Sequence, residues 1–287
     1  MYTVKKPCAS AFGFRKSGNP AFMSFFDVLL DFIFPRDCFY CKKPLHSRQK
    51  GFICDTCFEK IIFNRGVCCR CCGRALMTEA VQGESDEDGN GTEHFHDKNA
   101  VSKPQIAVTE TVRCFNCTEL QPFFDDGISL FAFTDVGRAF IHTLKYHNGT
   151  YLRGDLQRLF DHEKVRLEDL KDAVFVPVPL HFFRKWKRGY NQSDLIANAL
   201  AKYVGGRVQR LLRRKRHTPS QTSLTKAQRK GNVKGAFGLR RFAKIDMRVT
   251  YVLTDDVFTT GSTLNECARV LKENGATVVR VFTLAHG

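Results

Sequence analysis

The chain has 287 residues, 43% of them apolar, which is enough for one α/β domain and a smaller module. Its net charge of +16 calls for polyanionic ligands or partners. Twelve cysteines, most of them in Cys-x-x-Cys pairs within a chain of this size, argue against a small disulfide scaffold and for zinc in a reducing compartment.

Residues 1–20 are basic and aperiodic, and residues 1–22 are expected to be a disordered tail. The apolar stretch 21–34 is interrupted by Asp27 and Asp31, has no small-residue cleavage site and is too short to span a bilayer. We read it as an amphipathic helix capping the next module, and we expect a cytoplasmic protein with no membrane insertion.

Cys38-x-x-Cys41 and Cys54-x-x-Cys57 follow, with turn-forming Pro44 and Gly51 between them. Four thiolates in two close pairs supply the tetrahedral sulfur set that Zn²⁺ prefers. A redox-active pair is the other reading of Cys-x-x-Cys, but it normally occurs once, beside a βαβ pattern. A second set lies in Cys68-Cys69-Arg70-Cys71-Cys72-Gly73, completed by Cys114-x-x-Cys117. Either Cys68 with Cys71 or Cys69 with Cys72 can supply its first pair. We favour Cys69 and Cys72, because Gly73 allows the left-handed turn that closes a zinc knuckle.

Between these cysteines, residues 77–112 carry the acidic run Glu84, Asp86, Glu87 and Asp88 with scattered Gly, Asn and Ser, the profile of a solvated insertion. His94 and His96 lie in it and are assigned no metal. The ribbon module is expected over 23–122, and a second domain over 123–287.

From Phe123 the periodicity alternates between strand and helix. Strands are expected at 128–133, 173–178, 208–212, 236–239, 251–256 and 277–284, and helices at 136–146, 152–160, 192–203 and 264–274. Such alternation implies a mostly parallel sheet with helices on both faces, and ligands beyond the carboxyl ends of its strands. The excess positive charge is local, since Asp194 is the only acid between Pro179 and Arg241. The loop after Val178 places Arg184, Lys185, Lys187, Arg188 and Gly189 where a pyrophosphate could be clamped. Phe182, Phe183, Trp186 and Tyr190 are interleaved there, a pattern that could also stack bases along a single strand. The basic, hydroxyl-rich stretch 213–234, with a short helix expected near 224–230, has the profile of a lid.

The segment Tyr251-Val-Leu-Thr-Asp-Asp-Val-Phe-Thr-Thr-Gly-Ser-Thr263 organises the rest. A strand ending in Asp255 and Asp256 passes through a hydroxyl-rich turn into a helix. Backbone N–H groups at the helix start, the positive end of its dipole and the hydroxyls of Thr259, Thr260, Ser262 and Thr263 suit a phosphate monoester. Gly261 lets the backbone approach it. The two acids suit sugar hydroxyls or Mg²⁺. Together they describe a ribose 5-phosphate.

This segment resembles the 5-phosphoribosyl-1-pyrophosphate (PRPP) loop of type I phosphoribosyltransferases, with Thr254 where an apolar residue is usual. The chain as a whole, from about Leu29, resembles the ComF family of competence-associated proteins, also called the ComF/GntX group. The resemblance is carried by the Cys-rich start, Ile141-His-Thr-Leu-Lys-Tyr146, Val176-Pro-Val-Pro-Leu-His181, Arg188-Gly-Tyr-Asn-Gln192, Thr218-Pro-Ser-Gln221, Arg229-Lys-Gly-Asn-Val233, Gly235-Ala-Phe237 and the phosphate loop. The doubled cysteines at 68–72 and the insertion after Met77 depart from it. The resemblance implies a type I phosphoribosyltransferase fold behind a double zinc ribbon, and a role in natural DNA uptake through single-stranded DNA. On that reading Asp255 and Asp256 hold the ribose, residues 259–263 the 5-phosphate, and Lys187, Arg188 and Mg²⁺ the pyrophosphate. An accessory protein that binds single-stranded nucleic acid on a catalytically silent fold is the alternative.

Overall fold

The computed structural model describes residues 36–45, 49, 51–76, 112–146, 149–180, 189–215 and 233–287. The expectations for 1–34, for 77–111 with His94 and His96, for Arg184, Lys185, Lys187, Arg188 and their three neighbouring aromatics, and for 224–230 fall outside these residues.

Seven strands and four principal helices organise the described chain: β1 (Asp126–Ala132), α1 (Asp135–Tyr146), α2 (Arg153–His162), β2 (Val174–Pro177), α3 (Gln192–Val204), β3 (Arg207–Val208), β4 (Leu212–Arg214), β5 (Phe237–Leu239), β6 (Thr250–Phe258), α4 (Ser262–Glu273) and β7 (Val278–His286). Five of the strands form one sheet in the order β1-β7-β6-β2-β3, and all its neighbours run parallel. The parallel sheet flanked by helices is the α/β architecture expected from the alternating periodicity.

Strand alternation sorts the apolar side chains into two cores. Phe175, Val252, Phe282 and Leu284 face α1, α2 and α3. Val174, Val176, Tyr251, Leu253, Val279 and Val281 face α4 and the β4/β5 pair. A strand buried on both faces reads as a continuous apolar run, which is why Val-Phe-Val in β2 shows no polar alternation. In α1 the buried Val136, Phe140 and Leu144 recur every four residues and make one apolar stripe.

The stretch 208–212, expected as one strand, is two elements. Val208 packs against the first core, whereas Leu211 and Leu212 are buried in the second, so the chain must leave the sheet between them. Residues 212–214 then pair antiparallel with 237–239. This hairpin covers α4 and does not extend the parallel sheet.

The cysteine-rich segments are welded to the sheet. Residues 62–64 run antiparallel along the outer edge of β1, with Asn64 N donating to Leu130 O (2.8 Å) and Ala132 N to Ile62 O (2.8 Å). That pairing shields an otherwise open strand edge. Asp155 of α2 is fully buried and accepts from the backbone of Phe52 (2.9 Å) and Ile53 (3.1 Å). Gly51 is required there, since a Cβ would stand 2.2 Å from the Asp155 carboxylate and the backbone has φ +116°.

Candidate functional site

The chain reverses direction across the sheet between β2 and β6. The helix after β2, α3, packs in the first core and the helix after β6, α4, in the second, so the two crossovers lie on opposite faces. Connections that diverge in this way leave a crevice beyond the carboxyl ends of the two strands. Pairing between β2 and β6 ends at Pro177 with Thr254, followed by one bond from Val178 N to Thr254 O (3.0 Å). The next two residues of β6 are Asp255 and Asp256.

β6 continues to Phe258, so the acids lie within the strand and not at its last residue. Asp255 stays paired to β7, opposite Thr283, and neither acid pairs with β2. Residues from two other elements fill that side. The Ser193 hydroxyl donates to Asp255 Oδ1 (2.9 Å), and Gln192 Nε2 donates to Asp256 Oδ2 (3.2 Å). Both stand at the start of α3, set by the N-cap residue Asn191, whose side chain accepts from Ser193 N and donates to Val178 O (3.0 Å).

Lys145, in the last turn of α1, forms an ion pair with Asp256 Oδ2 at 3.0 Å. Burial and the neighbouring Asp256 carboxylate push Asp255 up to about 7, against opposing pulls from the Ser193 hydroxyl, the Asp256 N–H and Lys145. The two acids are therefore unequal. Asp256 is held by a cation and an amide, while Asp255 sits near the midpoint of its titration at neutral pH. Adjacent acids with such different surroundings can divide proton handling and charge pairing between them.

Beyond Phe258 the chain turns through residues 259–263. Gly261 adopts φ +73° and occupies the N-cap of α4, where it has no side chain of its own to cap the first turn. A Cβ there would meet Phe258 Cζ at 2.4 Å and Leu120 Cδ2 at 2.8 Å, so the position needs glycine for both conformation and space. The Thr260 and Ser262 hydroxyls lie 3.0 Å apart, and Ser262 N reaches Thr260 Oγ1 at 3.4 Å. Thr259 is exposed and Thr263 half-buried. The helix starts at Ser262, two residues earlier than its apolar periodicity suggests, which brings Ser262 and Thr263 into its first turn. The turn thus gathers hydroxyls and a helix N-terminus, a suitable environment for an anion.

The structure therefore brings together Asp255, Asp256, Thr259, Thr260, Gly261, Ser262 and Thr263 in one strand-turn-helix unit. Lys187 and Arg188 lie outside the described residues. Lys145, Gln192 and Ser193 complete the acid site without having been singled out from sequence, although Lys145 and Gln192 fall in two of the motifs that carry the family resemblance. Tyr190, expected among the base-stacking aromatics, has a different role. Its ring packs against the first core, and its hydroxyl donates to Leu144 O and accepts from Gly149 N (2.9 Å), fastening the start of α3 to the end of α1.

Two sets of four cysteines are brought together, Cys38, Cys41, Cys54 and Cys57 in one and Cys69, Cys72, Cys114 and Cys117 in the other. Cys41 and Cys54 sulfurs are 3.7 Å apart, as are those of Cys72 and Cys114. Zn–S bonds of about 2.3 Å in a tetrahedron require S–S edges of about 3.8 Å. Both sets fit zinc by geometry and by ligand chemistry. Cys68 and Cys71 stay outside the second set. Gly73 has φ +70°, and a Cβ on it would lie 2.4 Å from Ser129 N, so the left-handed turn also lets the knuckle press against β1.

Residues 29–87 match the double zinc ribbon domain. Cys114 and Cys117 lie beyond that match, on the far side of the insertion. The chain is 32% identical over 254 residues to competence protein F of Haemophilus influenzae, covering 86% of this chain and 96% of that protein. It is 33% identical over 184 residues to the DNA utilization protein YhgH of Salmonella typhimurium, covering 62% and 79% respectively. The crystal structure of a purine phosphoribosyltransferase from Pyrococcus horikoshii Ot3 overlaps 46% of this chain and 82% of that one, with 12% identity and a TM-score of 0.28, too low to carry an argument.

Proposed function

We propose, for a chain that belongs to the competence protein F family, that the crevice at β6 binds a ribose 5-phosphate, presented as Mg²⁺-PRPP, and transfers its phosphoribosyl group. The observation that carries this reading is the succession, on one strand exit at the reversal of the sheet, of two acids and then a hydroxyl-lined helix N-terminus. Asp255 and Asp256 accept the ring hydroxyls, and residues 259–263 take the 5-phosphate. The acids would repel a phosphate, so the sugar has one favourable direction in the crevice.

Lys145 and Gln192 keep Asp256 fixed while Asp255 exchanges a proton or a hydrogen bond with the ligand. Lys187 and Arg188, with the basic loop they belong to, take the pyrophosphate. Mg²⁺, when bound with the ligand, neutralises charge on the departing pyrophosphate. Asp255 offers it a hard oxygen donor of the kind it prefers. Exclusion of water from the cationic sugar falls to the stretch 213–234.

Names carried by the relatives, competence protein and DNA utilization protein, support a role in DNA uptake or in the use of the imported nucleotides, and the two cysteine sets fit for zinc support a reducing, cytoplasmic setting. No helix among the described residues is long and apolar enough to cross a membrane. A second reading, binding of single-stranded nucleic acid, is favoured by the positive charge concentrated in 179–241.

Release of pyrophosphate from Mg²⁺-PRPP, measured with a panel of nucleobases and with or without single-stranded DNA, separates the readings. Base-dependent release supports transfer. Strongly salt-dependent DNA affinity with no release supports the accessory role.

A further inference from the structure

Gly261 is the hinge of the phosphate-loop turn and has no side chain with which to brace it. The brace comes from the second cysteine set. Cys114 and Cys117 flank the first turn of a short helix, Phe115–Leu120, which ends where Gln121 takes a left-handed conformation, φ +48°, and donates its N–H to Cys117 O (3.2 Å). That ending throws Leu120 against Gly261, where its Cδ2 stands 2.8 Å from the site of a Cβ. The chain then crosses the start of α4. Phe123 N donates to Asn265 Oδ1 (2.6 Å), and Phe124 meets the Phe258 ring edge-on at 6.2 Å between centroids. Leu120, Phe123 and Phe124 thereby hold both ends of the turn 259–264.

A second path starts from the other half of the same set. Ser129 Oγ donates to Cys72 O (2.6 Å) and meets Thr283 Oγ1 at 2.7 Å, all of it buried. Thr283 is the register partner of Asp255. The first cysteine set makes its contacts elsewhere, on α2 through Asp155 and Arg158 and on α1 through Phe39, whose ring meets Phe140 edge-on at 5.8 Å.

We propose that the second zinc ribbon is a working part of the ligand site: its Cys114–Cys117 knuckle positions the 259–263 turn through Leu120, so that anion binding there depends on zinc at Cys69, Cys72, Cys114 and Cys117. The inference rests on the ribose 5-phosphate reading for its ligand, but not for the contact itself. The four sulfurs lie buried at the margin of the second core, where zinc would tie the two halves of the set together, and loss of the metal is coupled to loosening of the knuckle. Once Leu120 withdraws, the turn at Gly261 keeps Phe258 on one side and loses its contact on the other. Its N–H groups no longer converge, and misplacement by about 1 Å is enough to cost up to about a hundredfold in function.

The test uses the full chain with zinc bound and the variant Leu120→Ala, with ribose 5-phosphate as calorimetric probe and amide exchange at 259–264 as a second readout. Leu120→Ala is expected to keep the zinc content of the parent, to weaken ribose 5-phosphate binding at least about tenfold, and to speed exchange at 259–264 while β6 stays protected. Leu120→Met should restore both. Parental affinity and unchanged exchange in Leu120→Ala would overturn the proposal. If the parent itself does not bind ribose 5-phosphate, the site reading fails separately. The exchange comparison then decides the coupling alone: faster exchange at 259–264 supports it, and unchanged exchange overturns it.

Discussion

Lys145 reaches the buried carboxylate of Asp256 from the end of α1, with Nζ 3.0 Å from Oδ2, and so ties the first helix of the α/β domain to the strand that opens the candidate site. The same helix end is fastened to the start of α3 by Tyr190, and α3 supplies Gln192 and Ser193 to the acids. Two elements, α1 and α3, thus converge on two adjacent carboxylates of β6 and hold them before any ligand arrives.

Lys145→Met leaves Asp256 buried beside a second acid without its cation. Breaking one side of a fully buried pair costs about 3–5 kcal/mol, and the partial exposure of Lys145 brings the expected loss to about 1–2 kcal/mol. At about 2–4 °C per kcal/mol, thermal unfolding should fall by a few degrees at pH 8. The double variant Lys145→Met with Asp256→Asn should recover most of the loss. A single variant as stable as the parent would contradict the pairing.

Asp255 sets a pH dependence whose sign is fixed by its surroundings. Its folded pKa, about 7, lies above the ordinary 3.8, so the folded chain keeps a proton that the unfolded chain has already released over that window. Its contribution to stability is therefore present below about pH 4 and is lost as pH rises through 7. Asp255→Asn removes this dependence. Allowing for solvent screening, the variant should be more stable than the parent at pH 8 by on the order of 1–2 kcal/mol, with the gap closing toward pH 4. A gap of equal size at pH 5 and pH 8 would assign the proton elsewhere.

Gly261→Ala combines a left-handed backbone with two contacts under 3 Å. Strain of about 1–2 kcal/mol for the conformation and about 1–3 kcal/mol for overpacking predict a loss of about 2–5 kcal/mol, measured by denaturant unfolding, together with loss of anion binding. Stability within about 0.5 kcal/mol of the parent would show that the turn can relax and is not pinned between Phe258 and Leu120.

Asp155→Ala removes the acceptor of the backbone N–H groups of half-buried Phe52 and fully buried Ile53. Each buried donor left unsatisfied costs about 1–3 kcal/mol. The first ribbon should loosen from α2, seen as faster thiol labelling of Cys38, Cys41, Cys54 and Cys57 in the presence of chelator. Labelling at the parental rate would mean that the ribbon holds its place without this carboxylate.

The strand, the adjacent acids and the turn into α4 are legible because they occupy one contiguous segment, in which residue type and order fix the local geometry. Their partners were not. Ser193 lies 62 residues from Asp255 and Gln192 lies 64 from Asp256, and nothing local to either residue says which carboxylate it will meet. Tyr190 read as a base-stacking aromatic because its neighbours are basic, yet its ring and hydroxyl are used internally. The stretch 208–212 has apolar residues fit for one strand, but Val208 and Leu212 belong to opposite faces of the sheet, a distinction that only the packing makes. The left-handed turn at Gly73 is legible from its place after Cys72, while its contact with β1, which joins ribbon to sheet, leaves no mark in the sequence.

The central claim is that the β6 crevice holds a ribosyl phosphate, and calorimetric titration of the zinc-loaded chain with PRPP in Mg²⁺ tests it most directly. The expected result is saturable binding at one site per chain, weakened about tenfold or more by Thr260→Ala, since a hydrogen bond to a charged phosphate is worth about 1.5–3 kcal/mol. Absence of binding heat in Mg²⁺, or an affinity untouched by Thr260→Ala, would contradict the account.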